Sequence, residues 1–303
     1  MVGQRRFDVR RGLWKAIVLV VWLGEGSGLA AWAAPAPGAA PALAAPIRAS
    51  GPDPGPSPAS AAPPGLGEPV DPAPHLPTGL RLPDLRTLPP ADFEIRSFSR
   101  GRRELRLANT VWNSGQGPLE LLGQLNPRTQ RTTVHQRLFA LDDTHHTRLV
   151  GEFVWHPTHD HWHFEDFAVY ELWSLTAHGE LDRLVASSTK LSYCLIDTDA
   201  IDQARPGFEA RRHYQGCGRL RQGLSVGWGD KYDSFLDGQS LDVSELADAV
   251  YGLVSTANPN ARLIEADYTN NSAVIYLRIA GDRVDVALPP ELDPGRCRAD
   301  GWC

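Results

Sequence analysis

The chain has 303 residues, a formal net charge of −6 and four cysteines. That length allows one large domain or two small ones. The mild acidity argues against a nucleic-acid partner and against a polybasic membrane contact.

The N-terminus reads as an export signal. Arg5, Arg6, Arg10 and Arg11 precede an apolar run from Ala16 to Leu23, which Glu25 and its neighbouring glycines break. "AWA", Ala31 to Ala33, offers a small-x-small cleavage site. The apolar run is shorter than the roughly 20 residues a membrane anchor needs. Residues 1–33 are therefore predicted as a signal peptide. The mature chain is expected to be secreted or periplasmic, with no stable membrane span after signal cleavage. "RRGLWK", Arg10 to Lys15, has twin-arginine character, but the ordinary export pattern also carries basic residues.

From Pro35 to Pro77 the chain is mostly Pro, Ala, Gly and Ser. Such a segment buries too little apolar surface to offset its ordering entropy, so residues 34–79 are predicted as a disordered linker. The folded domain is expected over 80–281, with a C-terminal tail over 282–303.

The domain's apolar pattern has the short period of strands. "RELRLANTVWN" alternates, with Leu105, Leu107, Thr110 and Trp112 as candidate inward positions. "PLELLG", "FAVYELWSL", "AVYGLVSTA" and "AVIYLRIAG" are further strand-like runs rich in β-branched and aromatic residues. "NSGQGP", Asn113 to Pro118, reads as a turn between two strands. "LDVSELADAV", Leu241 to Val250, is the best short helix candidate. The expected class is all-β, an immunoglobulin-like β-sandwich with long loops and few short helices.

"HPTHDHWHFED" puts four of the ten histidines within eight residues. His159, His161 and His163 are spaced i, i+2, i+4, which places them on one face of a strand but not of a helix. A straight strand would spread the outer Cα atoms by about 13 Å, so a curved or bulged segment is expected. Neutral imidazoles suit Zn, Cu, Ni or Fe, and three of them leave an open coordination position. The zincin H-E-x-x-H pattern is absent, because Pro157 and Thr158 follow His156.

Five stretches in fixed order carry a resemblance: "LPDL" (Leu82–Leu85), "WHPTHDHWH" (Trp155–His163), "TKLSYCLIDT" (Thr189–Thr198), "QGLSVGWGDKY" (Gln222–Tyr232) and "EADYTNN" (Glu265–Asn271). Together, over Leu82 to Ile279, the chain resembles the lysyl oxidase family. The resemblance implies copper on His159, His161 and His163, with His156 a further histidine not usually counted as a ligand. It implies a lysine tyrosylquinone built from Lys190 and Tyr232. It also implies oxidative deamination of primary amines, among them peptidyl-lysine, with O₂ as co-substrate and aldehyde, hydrogen peroxide and ammonia as products. A phenol ordinarily ionises near pH 10, and copper beside Tyr232 would favour its oxidation. Asp230, two residues before Tyr232, is the candidate general base.

The resemblance also implies Ca²⁺ on Asp84, the Leu85 carbonyl, Glu265, Asp267, Asn270 and Asn271, an all-oxygen set that suits this ion. Animal members carry a cysteine where this chain has Thr158, paired with the equivalent of Cys217. The usual close partner of Cys194 is absent too. The two cysteines left without partners are expected to pair, Cys194 with Cys217, leaving Cys297 and Cys303 to close a short C-terminal loop. The Ala, Pro and Arg bias fits a bacterial source. Two other readings compete. One is a non-catalytic extracellular copper-binding module on the same fold, which does not require Lys190 and Tyr232. The other is a serine hydrolase on "GLSVG", Gly223 to Gly227, which lacks the later histidine that such a chain order demands.

Overall fold

Strand Thr132–Ala140 shows how the sequence lays down its sheets. Val134, Gln136 and Leu138 turn inward at alternate positions, and His135 and Arg137 turn out. The same alternation, interrupted by Gly, Asn and Asp turns, recurs along the chain. The computed structural model describes residues 76–189 and 191–287. The expected signal segment, the linker to residue 75, Lys190, Cys297 and Cys303 lie outside the described residues.

Among the described residues the protein is mainly β, as expected, and all its strand pairs are antiparallel. The large sheet runs in the order Arg221–Leu224, Leu119–Leu125, Thr132–Ala140, His145–His156, His161–Leu175, Ala249–Ala257, Ser272–Ala280, Arg283–Val286. Three short strands add to it: Leu80–Arg81, Leu181–Ser187 and Leu191–Tyr193. The second sheet centres on Arg103–Asn113, which pairs with Trp228–Tyr232, Ser240–Asp242, Leu85–Thr87 and Ala91–Ser97. One continuous core joins Leu105, Leu107 and Val111 of this sheet to Phe167, Tyr170, Leu253 and Leu277 of the large one. Each fully buried Phe or Leu there contributes on the order of 1.5–3 kcal/mol before chain entropy is counted. The 11 strands of the large sheet exceed the roughly seven to nine of an immunoglobulin domain, so the sandwich is broad.

Two expectations are corrected. The inward face of Arg103–Asn113 keeps one phase throughout: Leu105, Leu107, Asn109, Val111 and Asn113 are buried, whereas Thr110 and Trp112 are only partly so. Asn109 can sit in the core because its Oδ1 accepts hydrogen bonds from Thr87 Oγ1 and Ser255 Oγ, both at 3.0 Å. The helix expected over Leu241–Val250 does not form. Leu241 lies on strand Ser240–Asp242, and the Ser244 N–H and hydroxyl both donate to Asp242 Oδ1, closing a turn instead. Asp and Ser side chains that bond locally compete with a helix in this way. The "NSGQGP" turn forms as expected, with Asn113 Oδ1 accepting from Asp84 N and Gly115 N.

Replacing Asn109 with Ala removes the acceptor that the Thr87 and Ser255 hydroxyls share in the core. The expected cost is about 1–3 kcal/mol, read as a lower urea midpoint at unchanged slope. An unchanged midpoint would contradict this account of the buried polar position.

Candidate metal centre

The histidine stretch is a hairpin, not one bulged strand. Strand His145–His156 ends at the first histidine and strand His161–Leu175 begins at the third. The N–H groups of His159 and Asp160 both donate to the His156 carbonyl, at 3.2 and 2.9 Å. Asp160 takes φ 57°, a left-handed conformation that Asp tolerates. Pro157 and Asp160 thus supply the turn, which corrects the expected strip and swings His159 back over the strands.

Register then assembles four rings. His156 pairs with His161 and Val154 with His163, so His161 and His163 share one face while Trp162 meets Trp155 on the other. Ring centroids are 4.4 Å apart for His156–His159, 4.5 Å for His156–His163 and 4.8 Å for His161–His163. His159 Nδ1 lies 3.2 Å from His163 Nε2. His156, His159 and His163 each offer a ring nitrogen, all within 4.8 Å of one another. His161 joins the ring cluster but offers its nitrogen to the sulfurs of Cys194 and Cys217. The geometry therefore draws in His156, which the sequence reading left outside the ligand set. Thr158 Oγ1 sits 3.1 Å from His156 Nδ1, a contact that orients this ring.

The electrostatics favour neutral imidazoles, the form that binds a metal. Burial, then the neighbouring rings of His156, His161 and His159, push His163 down to about 3. Burial lowers His159 and His161 as well, with Asp237 and Asp160 pulling weakly the other way. His163 Nδ1 is 3.1 Å from Ser192 Oγ, a contact that fixes the ring and frees Nε2. His159 Nε2 is buried with no hydrogen-bond partner. An orphaned ring nitrogen amid three other imidazoles is what an ion would satisfy.

Tyr232 reaches the centre from the other sheet. Its strand, Trp228–Tyr232, pairs Tyr232 with Asn109 and Asp230 with Val111. The Cys194 N–H donates to the Tyr232 hydroxyl at 2.7 Å. The Tyr193 ring stacks on the Tyr232 ring at 3.9 Å, and the His163 ring meets it edge-on at 6.3 Å. Burial, and secondarily Asp230, hold the Tyr232 phenol far above its ordinary range. Asp230 is buried on the strand, not in a turn, and its Oδ2 has no partner. Burial first, then Asp197 and Asp199, raise it well above the carboxylate range. Lys190 lies outside the described residues.

The expected Cys194–Cys217 disulfide is present. It ties the loop before Arg221–Leu224 to the Tyr193 strand. The Trp162 N–H donates to the Cys217 carbonyl at 3.0 Å, and Gln222 Nε2 donates to the Trp162 carbonyl at 2.7 Å. Sequence reasoning missed Ser192, Tyr193 and Gln222. The first two lie beside Lys190 in "TKLSYC", at alternating positions that a strand directs to different neighbours. Ser225 of "GLSVG" lies between two strands and donates to Asp197 at 2.8 Å, so no hydrolase elbow forms.

A second polar cluster joins the segment around Asp84 and Leu85 to "EADYTNN". Leu85 N, Asn258 Nδ2 and Asn271 Nδ2 all donate to Glu265, at 2.6–2.8 Å. Asn270 Nδ2 lies 3.2 Å from both Asp84 Oδ1 and Asp267 Oδ2, and Ser114 Oγ also donates to Asp84. Burial raises Glu265 to about 7. The Oδ1 atoms of Asn270 and Asn271 are buried without partners. The sequence-named groups Asp84, Leu85, Glu265, Asp267, Asn270 and Asn271 thus meet at one place, beside a cavity of about 380 Å³ lined by Asp84, Ser114, Asp267 and Asn270.

Comparison with known proteins matches the lysyl oxidase family model to residues 142–288, a span that holds the hairpin, Tyr232 and Glu265–Asn271. The chain is 30% identical over 167 residues to lysyl oxidase homolog 2 of Xenopus tropicalis, covering 52% of this chain and 20% of that protein. It is 32% identical over 160 residues to lysyl oxidase homolog 3 of Homo sapiens, covering 50% and 20%. The match to lysyl oxidase homolog 3B of Danio rerio is 33% over 160 residues, covering 50% and 18%. The matched segment thus spans about a fifth of these relatives. On the matched span, which contains both the four-ring hairpin and the tyrosine packed against it, the chain is similar to the lysyl oxidase family.

Proposed function

We propose that this protein is a copper-dependent amine oxidase acting outside the cytoplasm on primary amines, peptidyl-lysine among them, with molecular oxygen as co-substrate. The copper is held by His159, His161 and His163, with His156 close enough to serve as a fourth nitrogen donor. Its organic cofactor is a lysine tyrosylquinone formed from Lys190 and Tyr232. Copper held there would promote oxidation of the phenol, and the resulting quinone would supply the electron sink for turning a primary amine into an aldehyde, with O₂ and water giving hydrogen peroxide and ammonia. The observation that carries this reading is the placement of Tyr232: an otherwise inert phenol, buried, with its ring 6.3 Å from that of His163.

The chain's own residues have distinct tasks. Neutral His159 and His163 present lone pairs, and Ser192 holds the His163 ring in place. The Cys194 N–H fixes the Tyr232 oxygen, and Tyr193 covers one face of its ring. Asp230 sits two residues from Tyr232 on the same side of the strand, where it can take and return a proton. The net charge of −6 suits attraction of cationic substrates. Asp84, the Leu85 carbonyl, Glu265, Asp267, Asn270 and Asn271 hold a structural Ca²⁺, consistent with the two orphaned amide oxygens there.

Copper-loaded protein is expected to release peroxide from lysine peptides. Asp230→Asn should lower kcat by about 10²–10⁴ while quinone formation persists, as loss of a general base does. If peroxide release is undiminished in Asp230→Asn, Asp230 is not the base. If the wild type forms no quinone and releases no peroxide, the enzyme reading fails.

The calcium assignment has a pH signature. The folded state keeps the Glu265 proton up to about 7, against an ordinary value of 4.5. Across that window the folded chain binds more protons than the unfolded one, so cation-free stability falls as pH rises, by on the order of 1–3 kcal/mol. Calcium should offset this, raising Tm more at pH 7.5 than at pH 5. An equal effect at both values, or none, would contradict the assignment.

A further inference from the structure

We infer that Cys194, Cys217 and His161 form a second metal site, open only when their disulfide is reduced, that takes a soft or borderline ion such as Cu(I) or Zn(II). A His161 ring nitrogen and both sulfurs lie within 4.8 Å of one another. With the disulfide closed the sulfurs are spent on each other. Once opened, they are two thiolates beside an imidazole, a set that suits soft and borderline ions and leaves a fourth position for water.

The fold keeps these groups together without help from the S–S bond. Cys194 is buried, and its N–H is held by the Tyr232 hydroxyl at 2.7 Å. The Cys217 carbonyl is held by the N–H of Trp162, next in the chain to His161, at 3.0 Å. Gln222 fastens the same corner, donating to the carbonyls of Trp162 and Gly218 and accepting from Leu195 N. Small adjustment is also possible. Cys217 stands between Gly216 and Gly218, and no atom lies within 4 Å of where a Cβ would project from either glycine. The backbone flanking Cys217 is therefore uncrowded on both sides.

The chemistry balances. A dithiol reductant supplies two electrons and two protons, opens the disulfide to two thiols and is itself oxidised to a disulfide. A divalent ion then displaces the two thiol protons. Reoxidation by molecular oxygen, which takes up two electrons and two protons to become hydrogen peroxide, rejoins the two sulfurs, expels the ion and returns His161 to the imidazole cluster, whose His163 ring is 4.8 Å away. The site would thus present a bound ion next to the histidine centre in the reduced chain and withdraw it on oxidation. That consequence for copper rests on the function proposed above, but the thiolate site itself does not.

Cobalt(II) is the probe, added anaerobically to the full chain carrying Cys297→Ser and Cys303→Ser, before and after reduction and removal of the reductant. Reduction should produce a sulfur-to-cobalt charge-transfer band and raise the bound cobalt by one equivalent. The band should vanish in Cys194→Ser/Cys217→Ser and weaken in His161→Ala, while the former still binds cobalt on its histidines without the band. Near-ultraviolet circular dichroism of the reduced chain should stay native. No charge-transfer band on reduction, a band that survives the double serine variant, or loss of the native dichroism on reduction each overturns the proposal. None of these readouts requires amine oxidase activity, so failure of that activity leaves the test intact.

Discussion

Burial of His163 at the seam of the two sheets is the constraint on which the rest of the centre depends. An imidazole only 1% exposed and ringed by three others cannot afford its proton. It must be neutral, and its ring nitrogens must find partners. Ser192 meets one and His159 faces the other. The hairpin turn, with Asp160 in its left-handed conformation, brings His159 there. The long strand His161–Leu175 carries His163 inward and pairs with the Tyr193 strand on its far side. Tyr193 in turn stacks on Tyr232. Histidine cluster and tyrosine are thus parts of one packing arrangement.

The surroundings make that arrangement rigid. The disulfide, the Trp162–Cys217 hydrogen bond and Gln222 brace the hairpin from outside. Asn109, bonded to Thr87 and Ser255, pairs directly with Tyr232 across the second sheet. The Glu265 cluster joins Leu85 to the last strands and so anchors the edge of the sheet that carries Tyr232. Polar groups buried this way cost free energy unless fully paired, and unpaired atoms fall at the histidine hairpin, at the Asn270–Asn271 cluster and at Asp230, among others.

Much of this was legible in the sequence, for identifiable reasons. Alternation exposed the strands "PLELLG", "FAVYELWSL", "AVYGLVSTA" and "AVIYLRIAG", because a half-buried sheet writes its period into the chain. The phase of Arg103–Asn113 was not legible, because the partners that make Asn109 an interior residue lie at Thr87 and Ser255, far away in sequence. The hairpin was misread because three histidines two apart imitate a strand. Pro157 and Asp160 carried the turn signal, and His156 entered the cluster only through that turn. The Cys194–Cys217 pairing came from resemblance to relatives and from the absence of their usual partners, not from spacing. "LDVSELADAV" has a helical look over too few residues to outweigh the Asp242–Ser244 turn.

The central claim is that Tyr232 and Lys190 become one cofactor under the influence of copper on the histidine hairpin. Peptide mapping by mass spectrometry after aerobic copper loading tests it most directly. The account predicts that the peptides containing Lys190 and Tyr232 are recovered covalently joined, and that His163→Ala abolishes the join. Recovery of the two peptides as separate, unmodified species from fully copper-loaded protein would contradict it.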